Sequence, residues 1–195
     1  MMYMRVATIY YSKTGRTRAV AMRIKKKLEE SGVVVDTYEL RLDREYSRRL
    51  LHFNPRLIYD TLSGRAVEFS GIRGFNPGAY DVVVIGSPIW FGTVAPAIKT
   101  FIRKFKGKIR KPVACFTTAN IRSDYSLKFK RVMESMGYRV FLHETITDPD
   151  ADNELISRFA EGVLMALKAA EKSVLSQTTP YSQRDQRPSQ HTNQE

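Results

Sequence analysis

Residues 9–17 read Ile-Tyr-Tyr-Ser-Lys-Thr-Gly-Arg-Thr, and the rest of the chain is organised around them. Upstream, Val6 to Tyr11 is an apolar, β-prone run that reads as a buried strand. Downstream, Thr17 to Glu30 reads as a helix, with Val20, Ile24 and Leu28 on one face and Lys25, Lys26 and Lys27 on its wet side. Between them, Ser12, Lys13, Thr14, Gly15, Arg16 and Thr17 bring hydroxyls, a glycine and two cations to a helix start. Backbone N–H groups there lack intrahelical partners, and the helix dipole favours an anion. That chemistry suits a phosphate. An ordinary strand–turn–helix connection uses the same residue types. The spacing is neither the Walker G-x-x-x-x-G-K-[ST] pattern nor the dinucleotide G-x-G-x-x-G pattern.

Working outward, Val33 to Leu40 reads as a second strand. Residues 41–79 are the least regular part. There Asn54-Pro55 predicts a cap and a first-turn proline for a short helix to about Leu62, with Leu50, Leu51, Phe53, Leu57 and Ile58 docking it on the sheet. Asn76-Pro77-Gly78 marks a turn. Val82 to Ile85 is a continuous aliphatic run, as in a central parallel strand. It leads into Gly86-Ser87-Pro88-Ile89-Trp90-Phe91-Gly92, which reads as a turn. Then come a helix from Val94 to Phe105, a strand from Val113 to Thr117 and a loop at Thr118-Ala119-Asn120. A helix over Ser126–Met136 is expected to bury Phe129, Val132, Met133 and Met136. A strand at Tyr138–Ile146 and a helix from Asn153 to Ala170 complete the pattern.

Alternating strands and helices predict an α/β domain: a three-layer, doubly wound, parallel five-stranded sheet with right-handed crossovers. Ligands of such sheets sit beyond the carboxyl ends of the strands, where the strand order switches. An order of 2-1-3-4-5 places the loops after the first, third and fourth strands side by side, and these are the three loops singled out above. The domain is expected over residues 1–171. Residues 172–195 are polar, without apolar periodicity, and read as a flexible tail.

Bulk properties narrow the class further. No apolar run approaches a membrane span, and no leader is legible ahead of the first strand, so a cytoplasmic protein is expected. One cysteine, Cys115, excludes an intrachain disulfide and a cysteine-cluster metal site, and three scattered histidines give no metal-ligand spacing. Cys115 lies mid-strand and reads as a core thiol. The net charge of +12 points to acidic partners: a phosphorylated cofactor, an acidic redox protein, an anionic membrane surface or nucleic acid. From Lys99 to Lys111 seven cations occur with no acid between them.

On these residues the chain resembles the flavodoxin family of FMN-binding proteins, from about Met4 to Ala170. Ser12, Thr14, Gly15 and Thr17 match the family's T/S-x-T-G-x-T phosphate loop, with Lys13 and Arg16 at its variable places. Tyr80 to Gly92 is similar to the loop that borders the isoalloxazine ring, in the branch carrying G-S-P-I-W. Thr117 to Asn120 stands where the family has its other flavin-contacting loop. The resemblance implies FMN with its phosphate on Ser12–Thr17. It implies a ring walled by Pro88, Ile89, Trp90 and Phe91, with backbone N–H groups of Trp90 to Gly92, Thr118, Ala119 and Asn120 on its polar edge. A packed core position is the alternative for Trp90. The basic charge departs from typical flavodoxins, which are acidic. A cation ~10 Å from the ring, at an effective dielectric of ~40, would favour a reduced, anionic flavin by roughly 0.8 kcal/mol before screening.

The implied function is an FMN-dependent redox protein. It would be either an electron carrier or a small oxidoreductase linked to NAD(P)H, quinone or protoporphyrinogen, with a redox protein or small-molecule acceptor as partner and peripheral membrane contact open to it. No side chain stands out as a general base or nucleophile, because in such proteins the flavin supplies the chemistry. The alternative is a non-enzymatic module that holds nucleic acid or another polyanion on its basic surface. No recognition motif of the usual kind supports that reading.

Overall fold

In the computed structural model, which describes residues 4–44, 46 and 55–177, the elements run β1 (Arg5–Tyr11), α1 (Arg16–Glu30), β2 (Val34–Leu42), α2 (Pro55–Ser63), β3 (Phe69–Ser70), β4 (Val82–Trp90), β5 (Thr93–Val94), α3 (Pro96–Lys104), β6 (Val113–Thr118), α4 (Tyr125–Ser135), β7 (Val140–Ile146) and α5 (Asn153–Gln177). Every residue of β1 after Arg5 is buried. That suits a strand paired on both edges and covered on both faces. β1 pairs in parallel with β2 and β4, β4 with β6, and β6 with β7. The five parallel strands therefore lie in the predicted order 2-1-3-4-5. Two short antiparallel strands, which the sequence reading lacks, are added. β3 extends the edge beyond β2, and β5 folds back on the end of β4.

Two apolar clusters fill the spaces either side of the sheet. One joins Val6, Val82, Val84, Ala114 and Phe116 of the strands to Val20, Ile24 and Leu28 of α1 and to Ile156, Phe159 and Val163 of α5. The other joins Ile9, Val83, Ile85 and Cys115 to Ile98, Phe101 and Ile102 of α3 and Phe129 and Met133 of α4. Adjacent strand residues serve opposite clusters, as the two-residue strand period requires.

Several boundaries differ from the sequence reading. β4 continues through Pro88 and Ile89 to Trp90, so the segment from Gly86 is strand before it is turn. The turn is Phe91-Gly92 alone, with φ of 49° and 77°, and it pairs Trp90 with Thr93. Positive φ at both central residues is the two-residue hairpin geometry whose twist matches the flanking strands. Val94 is therefore strand, and α3 begins at Pro96. In α4, Phe129 and Met133 are buried, but Val132 is 45% exposed and Met136 only partly buried. α5 runs on to Gln177, so a boundary at residue 171 falls inside a helix. The proposed cap at Asn54, the docking residues Leu50, Leu51 and Phe53, and the tail from 178 to 195 lie outside the described residues.

Cys115 sits in β6 with no exposed surface, and burial pushes its thiol pKa well up. A thiol-reactive disulfide reagent should therefore label native protein at least about a hundredfold more slowly than protein in denaturant, since attack waits on a global opening. Equal labelling rates would place the thiol at the surface.

Candidate functional site

The connection from β1 to α1 is held by its own serine: the Arg18 N–H donates to Ser12 Oγ at 3.1 Å. Gly15 enters the helix at φ 95°, where a Cβ would find space but the left-handed backbone would be strained. Thr17, in the first turn of α1, is 1% exposed, and its hydroxyl shares a 2.8 Å hydrogen bond with that of Thr118 at the end of β6. Arg16, beside it, donates to Asn120 Oδ1 at 2.6 Å and to the Ala119 carbonyl at 3.4 Å. Two of the three singled-out loops are thus bound directly to one another across the switch in strand order. The Arg18 side chain turns away to fork onto Glu39, with Nη2 at 2.5 Å from Oε1. Hydrogen bonding to that carboxylate raises the Arg18 pKa further. Its charge is neutralised locally.

The third loop is organised by a residue the sequence reading did not select. Ser87 Oγ accepts from the Ala95 N–H at 3.0 Å and donates to the Pro88 carbonyl at 2.9 Å. It thereby clamps both ends of the β4–β5 hairpin. Trp90 is 6% exposed and stands edge-on to Tyr11 and Tyr46, at centroid distances of 5.5 and 5.8 Å. The packed-core alternative thus describes its side chain. The exposed apolar side chains at this edge are Phe91, at 40%, and Ile121, at 72%, while Pro88 and Ile89 are half-buried. Ile121 was missed because a single apolar residue in a polar loop carries no periodic signal.

Behind the loop after β6 stands Asp152. It accepts from the Thr147 N–H at 2.7 Å, the Thr147 hydroxyl at 2.9 Å and the Asp148 N–H at 3.2 Å, and it is paired with Arg122. Burial pushes its pKa up, but these hydrogen bonds outweigh burial and hold it below the ordinary carboxylate value. A depressed folded pKa contributes stability that is full above the unfolded value of about 3.9 and is lost as pH falls through the folded value. Asp152→Ala should therefore cost about 2 kcal/mol at neutral pH in urea unfolding. The difference from wild type should shrink below about pH 4. A difference that stays constant with pH would remove the charge from the explanation.

The second half of the basic run does not belong to this site. Residues 105–112 connect α3 to β6 at the amino edge of the sheet, where Val83 N–H meets the Pro112 carbonyl and Arg139 meets that of Arg110. The six residues of β6 separate that edge from Thr118, roughly 20 Å at strand rise. This is more than two Debye lengths at physiological salt. Of the run from Lys99 to Lys111, the cations from Lys106 onward therefore stand well beyond ~10 Å from a group at the carboxyl edge.

Residues 5–139 match the family model described as flavodoxin. No curated protein matches the chain. Among solved structures, a putative flavoprotein from Bacteroides uniformis aligns at 20% identity with a TM-score of 0.64, covering 82% of this chain and 99% of its own. A flavoprotein in complex with FMN from Lactobacillus acidophilus aligns at 19% and 0.58, covering 77% and 97%. The two-electron reduced flavodoxin of Megasphaera elsdenii aligns at 18% and 0.57, covering 84% and 98%. These likenesses speak to the fold. The family match spans most of the parallel sheet and all three of its carboxyl-edge loops, and on that basis the chain belongs to the flavodoxin family.

Proposed function

We propose that this protein is an FMN-dependent redox protein that carries the flavin across the carboxyl ends of β1, β4 and β6. The observation that carries the reading is the direct bonding of Arg16 and Thr17 to Asn120, Ala119 and Thr118, which joins the two loops a phosphate and a ring would share. The donor set fits the group. Ser12, Lys13, Thr14 and Thr17 surround a helix start, supplying hydroxyls and a cation for a dianionic phosphate. Phe91 and Ile121 supply exposed apolar surface for a flat ring. FMN, when bound, supplies the electron-transfer chemistry. The chain's own part is to bind the phosphate, orient the ring through the Ser87-clamped hairpin, and cover its faces.

The direct test is the visible absorption of purified protein, followed by FMN titration read on Trp90, the chain's single tryptophan. Flavin absorption that stays with the protein, and saturable quenching of Trp90, are expected. Absence of both would reduce the fold to a scaffold. Rapid reduction of the bound flavin by NAD(P)H alone assigns a reductase; no reduction without a partner protein assigns a carrier. The exposed cations at the opposite edge, Lys104, Lys106, Lys108 and Arg110, favour an acidic partner or a polyanion there. Salt-sensitive binding of a DNA duplex without bound flavin would promote the polyanion reading.

A further inference from the structure

The space between α3 and α4 is a concavity that borders the loops described above, sharing Ile89 and Gly92 of the β4–β5 hairpin with them. It has a volume of about 370 Å³ and runs from the β4–β5 hairpin, at Thr93 and Val94, down to Val132 and Met136. Its floor is apolar, formed by Ile89, Ile102 and Phe129. Its wall is cationic, with Lys99, Arg103 and Lys128. Among the described residues no carboxylate lines it. Lys128 is paired with Asp124 at 3.0 Å. The other two cations are held by backbone carbonyls instead: Lys99 Nζ by that of Thr61 at 2.7 Å, and Arg103 by that of Gly64. Among the described residues neither is paired with a carboxylate. They stand one helical turn apart on the same face of α3, where like charges repel.

Lys99 is half-buried, and burial together with the neighbouring Arg103 charge pulls its pKa down. Half-buried Lys99 and exposed Arg103, both held by neutral acceptors beside an apolar floor, leave a positive charge that attracts an incoming anion. The exposure of Val132 gives an apolar body a rim to enter by. We propose that this groove binds a small molecule with a single carboxylate or sulfonate head and an apolar body, the head between Lys99 and Arg103 and the body along Ile102, Phe129 and Val132. The volume lies near the lower end of the roughly 300–1,000 Å³ of small-molecule sites. This inference stands on the groove alone and does not depend on a flavin being present.

The experiment is calorimetric titration of the full-length protein with octanoate and, in parallel, with its neutral isostere octanamide. One octanoate per chain is expected, at least tenfold tighter than octanamide. Lys99→Met combined with Arg103→Met should weaken octanoate at least tenfold and leave octanamide unchanged. Lys104→Met, on the same helix outside the groove, should leave both unchanged. Val132→Glu, at an exposed position that does not threaten the fold, should also weaken octanoate tenfold by placing a like charge in the groove. Three results would each overturn the proposal: no saturable octanoate binding, equal affinity for the two probes, or octanoate binding undiminished in Val132→Glu.

Discussion

Gly86→Ala should destabilise the protein by about 3 kcal/mol, at the upper end of the cost of overpacking a core. A Cβ on Gly86 would stand 2.2 Å from Cζ of Phe116 and 2.6 Å from its Cε1. The reason lies in the pairing of β4 with β6, which sets Gly86 beside Phe116 on the same face of the sheet. The Phe116 ring lies over the space a side chain would take. It has nowhere to retreat: it is fully buried and meets the Phe159 ring of α5 edge-on at 6.1 Å. In a chain of this size the loss corresponds to a fall in Tm of roughly 6–12 °C. Adding Phe116→Leu to Gly86→Ala should recover part of it, so that the two changes couple favourably in a double-mutant cycle. Additive losses would show that the ring moves aside at no cost. Because Ser87 follows directly and clamps the β4–β5 hairpin, the single variant should also bind FMN less tightly.

Thr14→Ala combined with Thr17→Ala should weaken FMN by about 3 kcal/mol, roughly a hundredfold, while changing riboflavin affinity little. The two ligands differ by the phosphate, and of the ligand's groups it is the phosphate that the lost hydroxyls face in the proposed site. Thr14 is exposed on the loop. Thr17 is buried, and its shared hydrogen bond with Thr118 leaves its proton for a phosphate oxygen only when Thr118 is the donor between them. The change at residue 17 also cuts one of the ties between the loops after β1 and β6. The measurement is the ratio of FMN to riboflavin affinity, by Trp90 quenching, in wild type and variant. A ratio that does not fall would mean that the phosphate is not held on Ser12–Thr17.

The doubly wound sheet was legible because its strands are long, aliphatic and separated by helices with clear apolar faces. Val82 to Ile85 and the Val20, Ile24, Leu28 stripe needed no partner to be read. The loop of residues 12–17 was legible as a candidate site because residue type alone concentrates donors and cations at a helix start. What failed were features set by contacts distant in sequence. Gly86 to Trp90 looked like a turn because glycine, serine and proline punctuate chains. Pairing with β6 extends the strand through Pro88, and Trp90 goes into the core between Tyr11 and Tyr46. Val132 fits the inward pattern of α4, yet the groove beside α3 leaves it exposed.

The sequence by itself determined the alternation of strands and helices and the loops that follow the strands, because these follow from periodicity and from short motifs that fold locally, while the strand order came with the resemblance to the flavodoxin family. Only the tertiary structure decided which cations matter where. The run from Lys106 to Lys111 is contiguous in the chain but stands at the amino edge, a strand length from the candidate site. Arg16, from one loop, is brought onto Asn120 of another, and Lys99 and Arg103 are set over an apolar groove formed with a different helix. Charge acts through distance and burial, and both are fixed by how the helices pack on the sheet.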